Sequence, residues 1–273
     1  MGSGIAQVTA AAGFVTILYE MNSNVLTRAK EAIHGDLKKL VTRGKLTAEK
    51  GERIYNNLVF TSDLQQCKGN IIIEAIIENE GLKVNLFNQL AAINTSQTLF
   101  ASNTSSLSIS RIAAQVAGPH RVAGLHFFNP APVMKLVEVV RGEQTSENTI
   151  EALVAFTTKL GKTAVVCNDA PGFIVNRVAR PYYIEALRLV EEGTIAFETA
   201  DRLLEGAGFK LGPFRLMDLI GNDVNYAVSC SVYEQLKKPE RLQPSPLQKE
   251  KVDAGALGKK TGQGYYNYGS ESK

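Results

Sequence analysis

The sequence predicts an α/β chain, parallel strands linked by crossover helices, then an all-helical second domain. Three observations carry that expectation. Short β-branched runs alternate with stretches of helical period as far as residue 168, the pattern of strands linked by crossover helices. Strand-like runs cease after Cys167. Pro171-Gly172 then breaks the backbone, and the residues beyond it have a 3.6-residue period only. The expected domains are residues 1–168 and 169–273.

Gly2-Ser3-Gly4 opens an apolar helical run, and residues 14–20 (FVTILYE) read as a strand ending in Glu20. Glycines that open a helix able to bind pyrophosphate, then a strand closed by an acid for ribose hydroxyls, reproduce the later half of a dinucleotide fingerprint; the first domain is therefore expected to be Rossmann-like. A long helical pair occupies 23–56, with Thr47 a cap and Glu49 in the following first turn. Asn70 to Ala75 reads as a buried strand, and the next helix places Leu82, Leu86, Leu90 and Ile93 on one side, toward the sheet. Strands are expected at Thr98–Ala101, Arg121–Phe127 and Lys135–Val140, then a helix at 147–160 and the strand KTAVVC. In the second domain Ile174, Val178, Tyr182, Ala186 and Leu189 keep helical spacing past Pro181, which is expected to kink the helix. These apolar stripes exceed what about 100 residues can hide, so a homodimer contact is expected.

Composition narrows the function. With 273 residues and 44% apolar content the chain can bury one large core or two smaller ones. A net charge of +3 is too slight to imply nucleic acid. Cys67, Cys167 and Cys230 are odd in number and form no CxxC, which argues for a reducing, cytoplasmic setting and against a metal site. The apolar opening has no basic leader and is broken by Gly13, so neither a signal nor a membrane span is expected.

The chemistry centres on His126, in LHFFNPAPVMKLVEVV, where two strand-like pieces flank a proline-broken turn and the second carries Glu138. An imidazole with a carboxylate on the neighbouring strand is half of a proton-transfer site. Upstream, the cluster Ser102 to Ser106 interrupts an apolar run where a strand should end, the place at which open α/β sheets hold ligands. Taken singly, each group has a plainer role. His126 fits a core histidine, Glu138 a solvent-facing strand position, Ser105 and Asn103 helix caps, and Glu78 with Lys83 an exposed helical pair.

The segments MGSGIA, IEAIIENEGLKVNLF, ASNTSSLSI, RVAGLHFFNPAPVMKLVEVV, APGFIVNRV, GAGFKLGPF and GKKTGQGYYNY, in this order, resemble the signature stretches of the (S)-3-hydroxyacyl-CoA dehydrogenase family from residue 1 to about 268. RPYYIEA and DVNYAVSCSVY are most similar to bacterial 3-hydroxyadipyl-CoA dehydrogenases, with 3-hydroxybutyryl-CoA dehydrogenases next. The resemblance implies NAD-dependent, reversible oxidation of a 3-hydroxyacyl-CoA, in fatty-acid β-oxidation or phenylacetate catabolism. It makes His126 the general base and Glu138 its partner, Ser105 a contact of substrate and cofactor, and Asn176 the amide that fixes the substrate. It assigns Gly2, Gly4, Glu20, Glu78, Lys83, Asn129 and Lys260 to the cofactor, and points to Lys39 and Arg43, beside Lys38, for the coenzyme A phosphates. An acid at Glu20 repels a 2′-phosphate, so NAD is favoured over NADP. Arg180 is a candidate for a terminal carboxylate, although an arginine before a helix-interior proline is more often a surface residue.

The chain also departs from the family pattern. There the sequence opens with a hydrophobic strand and a GxGxxG loop, whereas Met1 to Gly4 corresponds to the end of that loop. The expectation is a sheet with two unpaired edges and weakened NAD binding. Hydroxyadipyl-type relatives also often continue into a further helical domain. A non-catalytic or structural relative is the competing reading; it would keep the dimer and lose NADH binding.

Overall fold

In the computed structural model, which describes residues 1–269, the first helix is α1 (Gly2–Ala11). It starts without a side-chain cap, so the amides of its first turn are left for another partner. The next two helices are capped. After strand β1 (Thr16–Tyr19), Asn22 accepts from the amides of Asn24 and Val25 to start α2 (Ser23–Thr42), and Thr47 accepts from Lys50 to start α3 (Ala48–Asn56), with Glu49 in its first turn. Strand β2 (Leu58–Thr61) comes directly afterwards and pairs in parallel with β1. Sequence reading missed it, because four residues abutting a helix carry too little alternation to register.

The remaining strands form one five-stranded sheet in sequence order: β3 (Ile71–Glu74), β4 (Leu99–Ser102), β5 (Val122–Phe127), β6 (Leu136–Arg141) and β7 (Thr163–Asn168). β3, β4 and β5 are parallel, with α4 (Glu80–Ile93) and α5 (Ile109–Ala113) in the connections. β5 and β6 are antiparallel, which breaks the expected parallel run. The reason is length: residues 128–135 are too few for a crossover and leave only a reversal. After α6 (Glu147–Lys159), β7 is again parallel to β6. Among the described residues no hydrogen-bonded ladder joins the β1–β2 pair to this sheet.

Both faces of the larger sheet are covered, as its apolar strands require. Ile5 and Val8 of α1 and Ile150, Leu153 and Phe156 of α6 pack on one side against Leu125, Val137 and Val139. Phe87, Leu90 and Ile112 pack on the other against Phe100 and Val122. Each such side chain contributes about 2 kcal/mol of burial. β3 is half-buried rather than fully buried along Ile71–Ile73. The stripe expected on α4 is also turned by about one residue: Lys83, Phe87 and Leu90 face inward, and Leu82 is 46% exposed. An inward lysine is tolerated because it meets carboxylates, here Glu74 and Glu78.

The chain divides into two compact units, Met1–Asp169 and Ala170–Lys273. In the second unit α7 (Val175–Glu191) runs through Pro181, and α8 (Phe197–Gly206), α9 (Pro213–Ile220), α10 (Asn222–Gln235) and α11 (Pro246–Asp253) come after it. Its core is built from Tyr183, Leu187, Phe214, Met217 and Tyr265. Buried Asp218 accepts the amides of Tyr265 and Tyr266 and so ties this late segment to α9. The expected α7 stripe faces this core only in part, through Ala186 and the partly buried Tyr182. Val178 is 72% exposed and Leu189 40%, while Tyr183, Ile184 and Leu187 point inward, because arginine and tyrosine also serve the inner face.

Candidate active site

His126 and Glu138 are directly opposed in the antiparallel β5–β6 pair, so their side chains leave the same face of the sheet. Nδ1 of the imidazole lies 2.6 Å from Oε2 of Glu138, and both residues are buried. A carboxylate only accepts, so Nδ1 carries the proton and Nε2 is the ring nitrogen that can take one. Of the plainer expectations, a core position for His126 holds and a solvent-facing Glu138 does not, since Glu138 is fully buried. The Phe128 ring stands 4.6 Å from the imidazole, tilted by 53°. Asn103 Oδ1 accepts the Phe127 amide at 2.8 Å and ties the loop after β4 to the end of β5.

A second polar assembly fills the C-terminal ends of β3 and β4, where this class of sheet presents ligands. Glu78 Oε1 accepts from the Thr104 hydroxyl, the amides of Ser105 and Ser106 at 3.0 and 3.2 Å, and the Ser106 hydroxyl. Ser105 Oγ also lies 3.5 Å from it. Burial pushes the Glu78 carboxyl up, but these hydrogen bonds and the nearby Lys83 charge outweigh burial and hold it below the usual carboxylate range. Lys83 Nζ lies 3.2 Å from Glu78 Oε2 and 2.6 Å from Glu74 Oε1, and it donates to the Ile76 carbonyl. Glu74 takes the Ser102 hydroxyl on its other oxygen and the Ile76 amide at 2.7 Å. Lys83 is only 1% exposed, so it is no surface pair with Glu78; it is an internal strut.

The sequence reading did not single out Glu74, Phe128 or Lys162. For Glu74 the signal was available: a carboxylate closing the apolar run IIIE needs a buried counter-charge. Phe128 sits two residues beyond His126, the spacing that shares a face on a strand. The cap of α5 is Ser108, which accepts from Arg111, rather than Ser105 or Asn103.

The other expected site residues are placed as follows within their own units. Gly2 and Gly4 are in the first turn of α1, and a Cβ at Gly4 would fall 3.2–3.3 Å from Pro132 Cδ and Ala131 Cβ, so only glycine packs there without displacement. Glu20 directly succeeds β1 and accepts the Asn22 amide. Asn129 is exposed and precedes a cis peptide bond to Pro130. Lys39 pairs with Asp36 at 3.3 Å on the exposed face of α2, which Arg43 ends. In the helical unit Asn176 is the second residue of α7, and Lys260 Nζ contacts both oxygens of Asp223 at 2.5 and 2.7 Å.

Arg180 is not at the surface, contrary to the plainer expectation. It is 2% exposed and donates to the carbonyls of Asn176 and Asn225 and to the Ser229 hydroxyl. Burial pushes its guanidinium down to about 10. Among the described residues no cluster of three or more His, Cys, Asp or Glu side chains could hold a metal. The uncapped amides of α1 and the carboxylate after β1 suit a dinucleotide's pyrophosphate and ribose, so the donor set fits NAD. No helix among the described residues is long and apolar enough to cross a membrane.

Comparison with known proteins agrees with this geometry. Residues 1–170 match the model of the 3-hydroxyacyl-CoA dehydrogenase NAD binding domain, and residues 172–268 match that family's C-terminal domain. A 3-hydroxyadipyl-CoA dehydrogenase of Escherichia coli K12 is 50% identical over 99% of the chain, which spans 58% of that relative's length. The mitochondrial hydroxyacyl-coenzyme A dehydrogenase of Rattus norvegicus is 42% identical over 98% of the chain and 88% of its own. Among solved structures, a 3-hydroxybutyryl-CoA dehydrogenase from Escherichia coli K12 superposes with a TM-score of 0.95 at 50% identity, covering all of this chain and 58% of the other. A (S)-3-hydroxybutyryl-CoA dehydrogenase from Ralstonia eutropha gives 0.94 at 36% identity, covering 99% and 96%. The chain belongs to the 3-hydroxyacyl-CoA dehydrogenase family.

Proposed function

We propose that the chain reversibly oxidises a (S)-3-hydroxyacyl-CoA to the 3-oxoacyl-CoA with NAD as cofactor. The observation that carries this reading is the buried His126–Glu138 pair at 2.6 Å. Nε2 of His126 takes the proton of the substrate's 3-hydroxyl, and Glu138 stabilises the resulting imidazolium without itself being protonated. In the reductive direction the same nitrogen returns the proton. NAD, when bound, supplies the hydride acceptor, held by the first turn of α1, Glu20, Glu78, Asn129 and Lys260. The Ser105 hydroxyl contacts substrate and cofactor, a role supported by the hold of Glu78 on the loop that carries it. Asn176 helps fix the substrate beside His126, and Lys39 and Arg43 answer the coenzyme A phosphates.

The 50% identity to a 3-hydroxyadipyl-CoA dehydrogenase favours 3-hydroxyadipyl-CoA as substrate, with a role in phenylacetate breakdown in the cytoplasm. 3-Hydroxybutyryl-CoA is the second reading, favoured by the structural likeness to enzymes of that name. The helical unit, with Val178, Leu189 and Leu203 exposed, provides the dimerisation surface. Purified protein is expected to consume NADH in proportion to added acetoacetyl-CoA. No consumption, with NADH still bound, overturns the reading. The ratio of kcat/KM for adipyl and butyryl thioesters ranks the substrates, and sedimentation tests the dimer.

A further inference from the structure

The turn between β5 and β6 is held from outside. Within it Val133 and Met134 both donate their amides to the Pro130 carbonyl at 3.0 Å, closing a single helical turn. Such a turn leaves carbonyls at its far end that need donors. Lys162, the residue before β7, supplies them: Nζ donates to Ala131 O at 2.5 Å and to Met134 O at 2.7 Å. Burial pushes this ammonium below the usual lysine range, so the two carbonyls offset part of its lost hydration. The Thr163 amide adds a bond to the Lys135 carbonyl at 2.8 Å. On its other side the turn lies against α1, where Ala131 and Pro132 approach Gly4 so closely that a Cβ there would have to displace them by a few tenths of an ångström.

The 130–134 turn is therefore clamped between Lys162 and the first turn of α1, with Asn129 at its entrance and His126 and Glu138 on the strands it joins. We propose that Lys162 is a positioning residue for the cofactor: by holding two carbonyls it fixes the gap between this turn and the open amides of α1. In this role it acts through the turn it holds and not on the reacting atoms. Methionine fills the same volume and donates nothing, so it frees the turn while the β5–β6 ladder keeps His126 opposite Glu138. Arginine retains two donors to one side and restores the clamp.

This inference rests on the NAD-dependent reading above. The test is NADH titration by fluorescence, with thermal melting, for native protein, Lys162→Met and Lys162→Arg, and then KM for NADH and for acetoacetyl-CoA. The expectation is that Lys162→Met weakens NADH binding about tenfold, as displacement of a positioning element by a fraction of an ångström does. KM for the thioester stays within about twofold, because the proton-transfer pair is unmoved. Lys162→Arg recovers most of the NADH affinity. Unchanged NADH affinity in Lys162→Met overturns the clamp alone. A parallel rise of both KM values with a lower melting temperature, left uncorrected by arginine, also overturns it, since that reports general loosening. A native protein that binds no NADH overturns the functional reading and the clamp with it.

Discussion

Replacing Glu138 with glutamine asks how much of the chemistry the carboxylate supplies. The side chain keeps its shape, and its amide oxygen can still accept from Nδ1, so only the charge is removed. When Nε2 of His126 takes a proton the ring becomes positive beside a buried carboxylate, at an N–O separation of 2.6 Å. With charge centres about 4 Å apart and an effective dielectric constant near 20, that attraction is about 4 kcal/mol. At about 1.4 kcal/mol per decade it corresponds to about three decades of rate. The retained hydrogen bond returns part of this, so kcat is expected to fall about 10²–10³-fold, with KM for the thioester within about threefold. Neither glutamine nor neutral imidazole leaves a bare buried charge, and the folding cost is about 1 kcal/mol, or about 2–4 °C in Tm. Steady-state kinetics on acetoacetyl-CoA with a melting curve decide the matter. A loss of kcat under about tenfold, or one carried wholly by KM, refutes the argument. The His126→Ala, Glu138→Gln double variant checks it again, because groups acting as one unit give strongly non-additive losses.

Lys83→Met strands Glu74, which is buried and otherwise held by Ser102 and Ile76; stability in urea is expected to fall by about 3–5 kcal/mol, and a loss below about 1 kcal/mol shows that the cluster relaxes freely. Glu78 has a folded-state pKa below its ordinary 4.5, so its contribution is fully present above that value and is lost as pH falls through the lower, folded one. Melting curves between about pH 6 and pH 3 should therefore show a smaller acid loss for Glu78→Gln than for the native protein; identical profiles remove Glu78 from the acid transition. Arg180→Met is expected to stay within about 1 kcal/mol of native stability, because helical bonding still serves the carbonyls it leaves. It is also expected to leave the adipyl-to-butyryl ratio of kcat/KM unchanged, and a shift above about tenfold restores the terminal-carboxylate role.

Much of the site was legible because its residues sit where periodicity is strongest. The alternation of LHFF and KLVEVV places His126 and Glu138 on strands, and the intervening prolines dictate a reversal, so their opposition is settled once β5 and β6 pair. The parallel rule read from the other strands does not reach this pair, whose connection is too short for a crossover. Periodicity also misread α4, since hydrophobicity alone ranks Leu82 above Lys83 as an inward residue, yet two carboxylates on one side reverse the order. The same failure hid the inward Arg180 on α7. Strand β2 begins two residues after α3 ends, so its short alternation merged with the helical period before it.

The two buried acid–base assemblies contain similar groups yet are suited to opposite tasks, and donor arithmetic separates them. An ammonium has three protons to give and accepts none. Lys83 directs its protons to Glu74, Glu78 and the Ile76 carbonyl, so a proton leaving it would strand two carboxylates with less charge to share. That is a lock, and its value is to hold Glu78 against the Ser105 loop. An imidazole instead has one nitrogen for orientation and another for exchange. With Nδ1 fixed on Glu138, protonation at Nε2 adds charge where a carboxylate already waits. Exchanging the two partner acids for amides should separate these tasks: Glu138→Gln lowers kcat at nearly constant stability, whereas Glu74→Gln lowers stability first. If the urea midpoint fell more for Glu138→Gln than for Glu74→Gln, this division of labour would be wrong.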